Sequence, residues 1–209
     1  MQSVLLTGFE PFDTATVNPS WEAVRQLDGV QLCEGVQMVA RCLPCTFASA
    51  AETLLQLINE LQPAMVIATG LGPGRSDISI ERVAINVNDA RIPDNLGAQP
   101  IDTAVVEGGP AAYFSTLPIK GMVKALREAG IAASVSQTAG TFVCNQVFYR
   151  LQHALAGTGV RSGFIHVPGL PGSGEPSIAL STTVEGLRAA ALAAWQTQAD
   201  IVLTGGQIS

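Results

Sequence analysis

The stretch I-A-A-S-V-S-Q-T-A-G-T-F-V-C-N-Q-V-F-Y-R-L-Q-H-A-L, residues 131–155, changes its period half-way. Ile131 to Ser136 reads as a strand, and Gly140 marks a turn. Beyond the turn Val147, Phe148, Leu151 and Leu155 recur at three- and four-residue spacing, the signature of a helix. The first residue past the turn capable of covalent chemistry is Cys144, on the first turn of that helix. The positive end of a helix dipole favours thiolate over thiol, so a nucleophilic cysteine is built this way. An inert cysteine also fits there.

The same alternation extends in both directions. Upstream, Val4 to Gly8 is a short buried strand ending in a glycine turn, followed by a loop carrying Phe9 and Phe12. Asn18-Pro19-Ser20-Trp21-Glu22 starts a helix to about Leu27, with Asn as cap and Pro in the first turn. Val36–Leu43 is a strand, Thr46–Leu61 an amphipathic helix and Ala64–Thr69 an apolar run of the kind found in strands buried on both faces. Ile78–Val87 alternates, and places Glu81 on a face with Val83, Ile85 and Val87. A carboxylate there is costly unless paired, so a bridge to Arg82 or Arg91, a surface strand end and a buried working acid are the readings. Residues 88–110 show little periodicity; so long a connection is more often functional than idle. A helix from about Leu117 to Ala129 precedes the opening stretch. After it come a strand over Gly163–Pro168 and a closing helix to about Ala199, with Thr182 and Glu185 in capping-box spacing. Alternating strands and helices predict a single-domain three-layer α/β/α sandwich with a mostly parallel sheet, spanning residues 1–209.

Composition narrows the function classes. Of 209 residues 47% are hydrophobic, enough for a large core, and the net charge is −6 with no basic run, so no nucleic-acid partner is expected. No apolar stretch is long enough to span a bilayer and no secretory leader is recognisable, which points to the cytoplasm. The four cysteines include Cys42-Leu-Pro-Cys45. A metal site is not expected, since no second C-x-x-C exists and neither histidine is near in sequence. The pair reads better as small apolar residues closing a strand. Gly70-Leu71-Gly72-Pro73-Gly74-Arg75 fits neither nucleotide-loop spacing, although it can bring bare backbone close to a small ligand.

A cysteine nucleophile needs a base, and the chain has two histidines. His153 follows Cys144 on the same helix by nine residues, roughly two and a half turns, and points away from the thiol. His166 sits at a strand exit, where ligands bind in parallel α/β sheets. If its strand parallels the one before Cys144, both residues share an edge of the sheet. Glu81, Asp89 and Asp94 are all candidates to orient the imidazole, and spacing does not choose among them.

Gly140-Thr141-Phe142-Val143-Cys144-Asn145-Gln146-Val147-Phe148-Tyr149 resembles the nucleophile motif of the type I pyroglutamyl peptidases, also called pyrrolidone-carboxylate peptidases. Glu81-Arg82-Val83-Ala84-Ile85-Asn86 with Asp89-Ala90-Arg91-Ile92-Pro93-Asp94-Asn95 resembles their second signature. Leu6 to Phe12, Asn18 to Glu22 and Gly163 to Pro168 are similar as well, so the resemblance covers nearly the whole chain in order.

The resemblance implies a soluble, cofactor-free and metal-free cysteine peptidase that removes N-terminal pyroglutamate from peptides through a thioester, often as a homotetramer. It implies Cys144 as nucleophile, His166 as acid–base and Glu81 as the group orienting His166. The Cys144 N–H, with Arg91 nearby, would hold the oxyanion. Phe12 and Phe142 would flank the lactam ring, Phe9 would help line its slot, and the main chain around Leu71 and Val143 would read the lactam. Two positions depart from the family pattern. Asp13-Thr14 replaces a common Gly-Gly and adds charge near the pocket mouth, and Leu71 replaces a common glutamine.

Overall fold

The computed structural model describes residues 1–206. In chain order the elements are β1 (Gln2–Phe9), α1 (Pro19–Val24), β2 (Gln31–Cys33), β3 (Val36–Leu43), α2 (Ala50–Leu61), β4 (Met65–Leu71), β5 (Ile78–Glu81), β6 (Val83–Ile85), β7 (Ala112–Phe114), α3 (Ile119–Glu128), β8 (Ala133–Ser136), α4 (Val143–Leu155), β9 (Arg161–Val167) and α5 (Leu180–Gln196). Seven strands form one sheet in the order β2-β3-β1-β4-β9-β5-β8, and β6 pairs with β7 in a separate antiparallel ribbon.

Within the sheet β3, β1, β4 and β9 run parallel. Their central residues are apolar on both sides because helices cover both: Val4, Leu5, Leu6, Val66, Ile67 and Ala68 are fully buried. One face packs against α1, α3 and α5 through residues such as Val24, Met122, Leu126, Leu187 and Ala191. The other packs against α2 and α4 through Leu54, Val147, Phe148 and Leu151. The expected three-layer α/β/α architecture is therefore met.

Local expectations hold where the chemistry is local. The Asn18 side chain accepts the Ser20 N–H at 3.1 Å, with Pro19 in the first turn of α1. Gly130, at φ 75°, follows the last turn of α3. Others change. Gly8 lies inside β1 rather than in a turn; a β-carbon there would stand 2.5 Å from the Trp21 amide nitrogen, so glycine lets α1 cross the strand. α2 starts at Ala50, because Thr46–Ser49 is occupied by its own turn, with the two hydroxyls 2.7 Å apart. α5 starts at Leu180, so Thr182 lies inside it and forms no capping box with Glu185; Ala179 is the cap residue.

Two differences bear on the site. The alternating run 78–87 is split: β5 stays in the main sheet, and after Arg82 the chain leaves it for the ribbon. Fully buried Asn145 on α4 holds it there, its Oδ1 accepting the Ile85 N–H at 3.0 Å and its amide donating to the carbonyls of Ile85 and Val87. The stretch 88–110 is stapled by polar groups: Asn88 and Thr103 form a bridge, Val106 N–H donates to Asn86 Oδ1, and Asp94 accepts from the amides of Leu96, Ala98 and Phe47. These bonds hold it without regular structure.

Candidate active site

Side chains alternate along a strand, so Ser79 and Glu81 share a face of β5, and Phe164 and His166 share a face of β9. Ser79 lies opposite His166 in an antiparallel pair, which makes Glu81 the diagonal neighbour of His166 on the α4 side. Glu81 Oε1 is 2.7 Å from His166 Nδ1, with Glu81 fully buried and His166 nearly so. A carboxylate only accepts, so Nδ1 carries the proton and Nε2 is left bare as an acceptor. Asp94 is engaged by backbone amides and Asp89 is tied into the cavity rim, so the acid left open by spacing is Glu81.

The second partner of Glu81 is Arg75, whose Nη2 lies 3.0 Å from the same Oε1 and donates at 3.0 Å to the Thr138 carbonyl. The bridges considered from sequence, to Arg82 or Arg91, are not formed. Arg75 was visible only as the tail of the glycine-rich loop. Its stem runs beside Gly72, where a β-carbon would stand 2.6 Å from Arg75 Cδ.

Cys144 arrives from the other layer. The β8 strand preceding it is parallel to β5, and β5 is antiparallel to β9, so the two strands in question are opposed rather than parallel. The residues still meet because β8 is four residues long and stops level with Glu81. From there the turn 137–142, with Gly140 at φ 77°, carries the chain to the start of α4. Gly70, the register partner of His166 on β4, then receives the thiol: a β-carbon at Gly70 would stand 2.7 Å from Cys144 Sγ.

Burial pushes the Cys144 thiol well above the usual cysteine range, with Cys45 and Glu81 adding to it. Arg75 and the Cys144 backbone N–H pull the other way and lose. The dipole argument had the right sign and was outweighed. Burial also lowers the His166 pKa, against the upward pull of its bond to Glu81. Both shifts favour the uncharged forms, thiol and imidazole.

A cavity of about 360 Å³ opens over these groups. Phe9, Phe12, Leu71, Arg91, Phe142, Cys144 and His166 line it. The rings of Phe12 and Phe142 are 6.2 Å apart and tilted by 41°, and Phe47 braces Phe142 edge-on at 5.2 Å. The Val143 side chain is buried in the α2/α4 core, so the lactam contact expected around Val143 falls to the main chain, as the resemblance implied. Cys45, read from sequence as strand-closing filler, does line the cavity, as do Ile92 and Thr141. All four cysteines are free. His153 is exposed, bonded to the Tyr113 hydroxyl and stacked on Tyr149. Among the described residues no cluster of three metal-ligating side chains occurs.

The family model for pyroglutamyl peptidase matches residues 2–197. The chain belongs to the pyroglutamyl peptidase family. The pyrrolidone-carboxylate peptidase of Pseudomonas fluorescens is 75% identical over the whole of both chains, and that of Cupriavidus necator strain H16 is 59% identical, again over the whole of both. Among solved structures, the pyroglutamyl peptidase I of Bacillus amyloliquefaciens superposes with a TM-score of 0.94 at 43% identity, covering 97% of this chain and 99% of its own. The pyrrolidone carboxyl peptidase of Thermococcus litoralis gives 0.92 at 36% identity, over 98% and 100%. The pyroglutamyl peptidases are hydrolases of the cysteine-peptidase class, as the Cys144 motif implied. Asp13, where the resemblance led glycine to be expected, adopts φ 55°, a left-handed conformation that glycine takes freely and aspartate tolerates.

Proposed function

We propose that residues 1–209 form one catalytic domain that removes an N-terminal pyroglutamyl residue from peptides, with Cys144, His166 and Glu81 as its working groups. The observation that carries this reading is the convergence of the Cys144 sulfur, over Gly70, and the Glu81-bound imidazole of His166, the strand partner of Gly70, inside one cavity. The lactam ring is flat and neutral. A slot walled by Phe9, Phe12 and Phe142 suits it, with the Leu71 main chain supplying the polar contact.

Reaction begins with a neutral thiol. As sulfur bonds to the pyroglutamyl carbonyl carbon, the Sγ proton passes to His166 Nε2 and the carbonyl oxygen takes up negative charge. The Cys144 N–H, with Arg91 at the cavity wall, stabilises that oxyanion. His166 gives its proton to the leaving amine nitrogen, the C–N bond breaks and a thioester remains. Water then attacks the thioester, losing its proton to Nε2; the C–S bond breaks, pyroglutamate leaves, and Nε2 returns the proton to sulfur. Glu81 holds the tautomer throughout, and Arg75 holds Glu81. No cofactor enters this scheme.

The test is hydrolysis of a pyroglutamyl chromogenic amide by the wild type and by Cys144→Ser. Turnover abolished by the substitution is expected; a Cys144→Ser protein with undiminished rate rejects the assignment. No turnover by a folded wild type, with clean alkylation of the thiol, would instead favour a silent ligand-binding protein.

A homotetramer in the cytoplasm completes the proposal. Support for assembly comes from apolar side chains left in solvent, Leu96, Ile101 and Phe114. Four free cysteines suit a reducing compartment, and among the described residues no helix is long and apolar enough to cross a membrane. Light scattering that returns a monomer mass, or fractionation away from the cytosol, would remove either part.

A further inference from the structure

A second hollow of about 190 Å³ adjoins the catalytic cavity and shares Leu71 and Pro73 with it. Val17 and Pro19 form one side; Leu170 and Pro176, from the loop after β9, form the other. Apart from Glu175 and Ser173 the wall is apolar or glycine, and nothing in the chemistry described so far uses it.

Its position follows from the strand register. Leu71 pairs with Val167, the residue after His166, and the Gly72 N–H bonds the Val167 carbonyl at 2.9 Å. Leu71 therefore stands beside His166 but faces opposite to Gly70, and forms the partition between the two cavities. The hydrolytic scheme requires the leaving amine nitrogen within reach of His166 Nε2. A chain that leaves the catalytic cavity past Leu71 and Pro73, the residues common to both walls, enters the second hollow.

We infer that this hollow receives the side chain of the residue that follows pyroglutamate, and that it selects an apolar one. The inference rests on the proposed peptidase reading. The Glu175 carboxylate at the rim, which accepts the Ser177 hydroxyl at 3.0 Å, works against an acidic residue there. The loop 169–176 is then a specificity element rather than a connection.

The test compares kcat/KM for pyroglutamyl-glycinamide, -alaninamide, -valinamide and -leucinamide. Apolar pockets discriminate by about tenfold or more for added methylenes, so the wild type is expected to favour leucine over glycine by about 10- to 100-fold, rising with side-chain size. In Leu170→Ser and Val17→Ser, both on exposed or half-exposed positions, the leucine-to-glycine ratio should shrink towards unity. A flat wild-type series, or a ratio retained in both folded variants, overturns the subsite while turnover of the glycinamide stands. Failure of the wild type to cleave even the glycinamide is a different result: it defeats the peptidase reading, and the subsite with it.

Discussion

The Cys144 sulfur rests where the side chain of Gly70 would otherwise be, with only 2.7 Å between Sγ and the position of an added β-carbon. The Phe164 ring closes the same space at 3.0 Å, so neither neighbour has room to give way. Gly70→Ala should therefore move the nucleophile while leaving the sheet formed. A displacement near 1 Å costs about 100-fold in rate, and kcat for the pyroglutamyl amide is expected to fall by that order with an unchanged circular dichroism spectrum. Full activity in the alanine variant would show that the thiol does not work from this position.

Glu81 binds His166 and Arg75 through one oxygen. Glu81→Gln replaces an acceptor-only carboxylate with an amide that can also donate to Nδ1, so the imidazole tautomer is no longer fixed, and a loss of about 10³- to 10⁴-fold in kcat is expected by analogy with other triads. Arg75→Ala acts at one remove. Its effect should be smaller, and should appear as a displaced acid limb of the pH–rate profile as well as a lower rate. An Arg75→Ala profile superimposable on the wild type would leave Arg75 with no part in the site.

The pH dependence has a definite sign. The Cys144 thiol is raised by burial, so its alkylation by iodoacetamide should keep accelerating beyond pH 9 instead of levelling near neutrality. His166 has a folded pKa lowered below 6.5, so the folded state binds fewer protons than the unfolded chain as the solution is acidified. This contribution to stability is complete above 6.5 and is lost as pH falls below it. Activity falls in the same direction, once His166 Nε2 is protonated. A rate flat down to pH 4 would exclude the Cys144–His166 pair.

Cys45 is buried, and burial and then Glu10 push its thiol up to about 12, whereas Cys42 is exposed. Cys42→Ser should be silent. Cys45 lines the cavity, so Cys45→Ser is expected to raise KM a few-fold and leave kcat nearly unchanged. A large loss of kcat without unfolding would give Cys45 a direct part in the chemistry.

Asn145 makes three hydrogen bonds to the backbone of Ile85 and Val87 from a fully buried position. Asn145→Ala leaves those groups unpaired, at a cost of about 3 kcal/mol in stability. The segment carrying Asp89 and Arg91 hangs from the same bonds, so activity should fall below the folding transition as well. Urea denaturation read alongside the amide assay checks both.

Much of the architecture was legible because it depends on local periodicity. The apolar run 64–69, the helical spacing after Cys144 and the Asn18-Pro19 cap each answer to neighbours within a turn or a strand. The misreadings arose where a distant group intervened. Ile78–Val87 alternates like one strand, yet Asn145, some sixty positions later, draws its second half out of the sheet. Gly8 reads as a turn until Trp21 is seen to cross it.

The site divides along the same line. From the sequence alone came Cys144 on a helix start, His166 as the only usable histidine, and, through motif resemblance, Glu81 and the pyroglutamyl substrate. Tertiary structure alone supplied Arg75 as the second partner of Glu81, Cys45 in the cavity wall, the burial of the Val143 side chain in the core, and the upward shift that burial gives the thiol. A motif records which residues are present, whereas burial is set by everything packed around them. Around Cys144 that packing outweighs the groups that favour thiolate, and the proposed chemistry accordingly starts from the thiol.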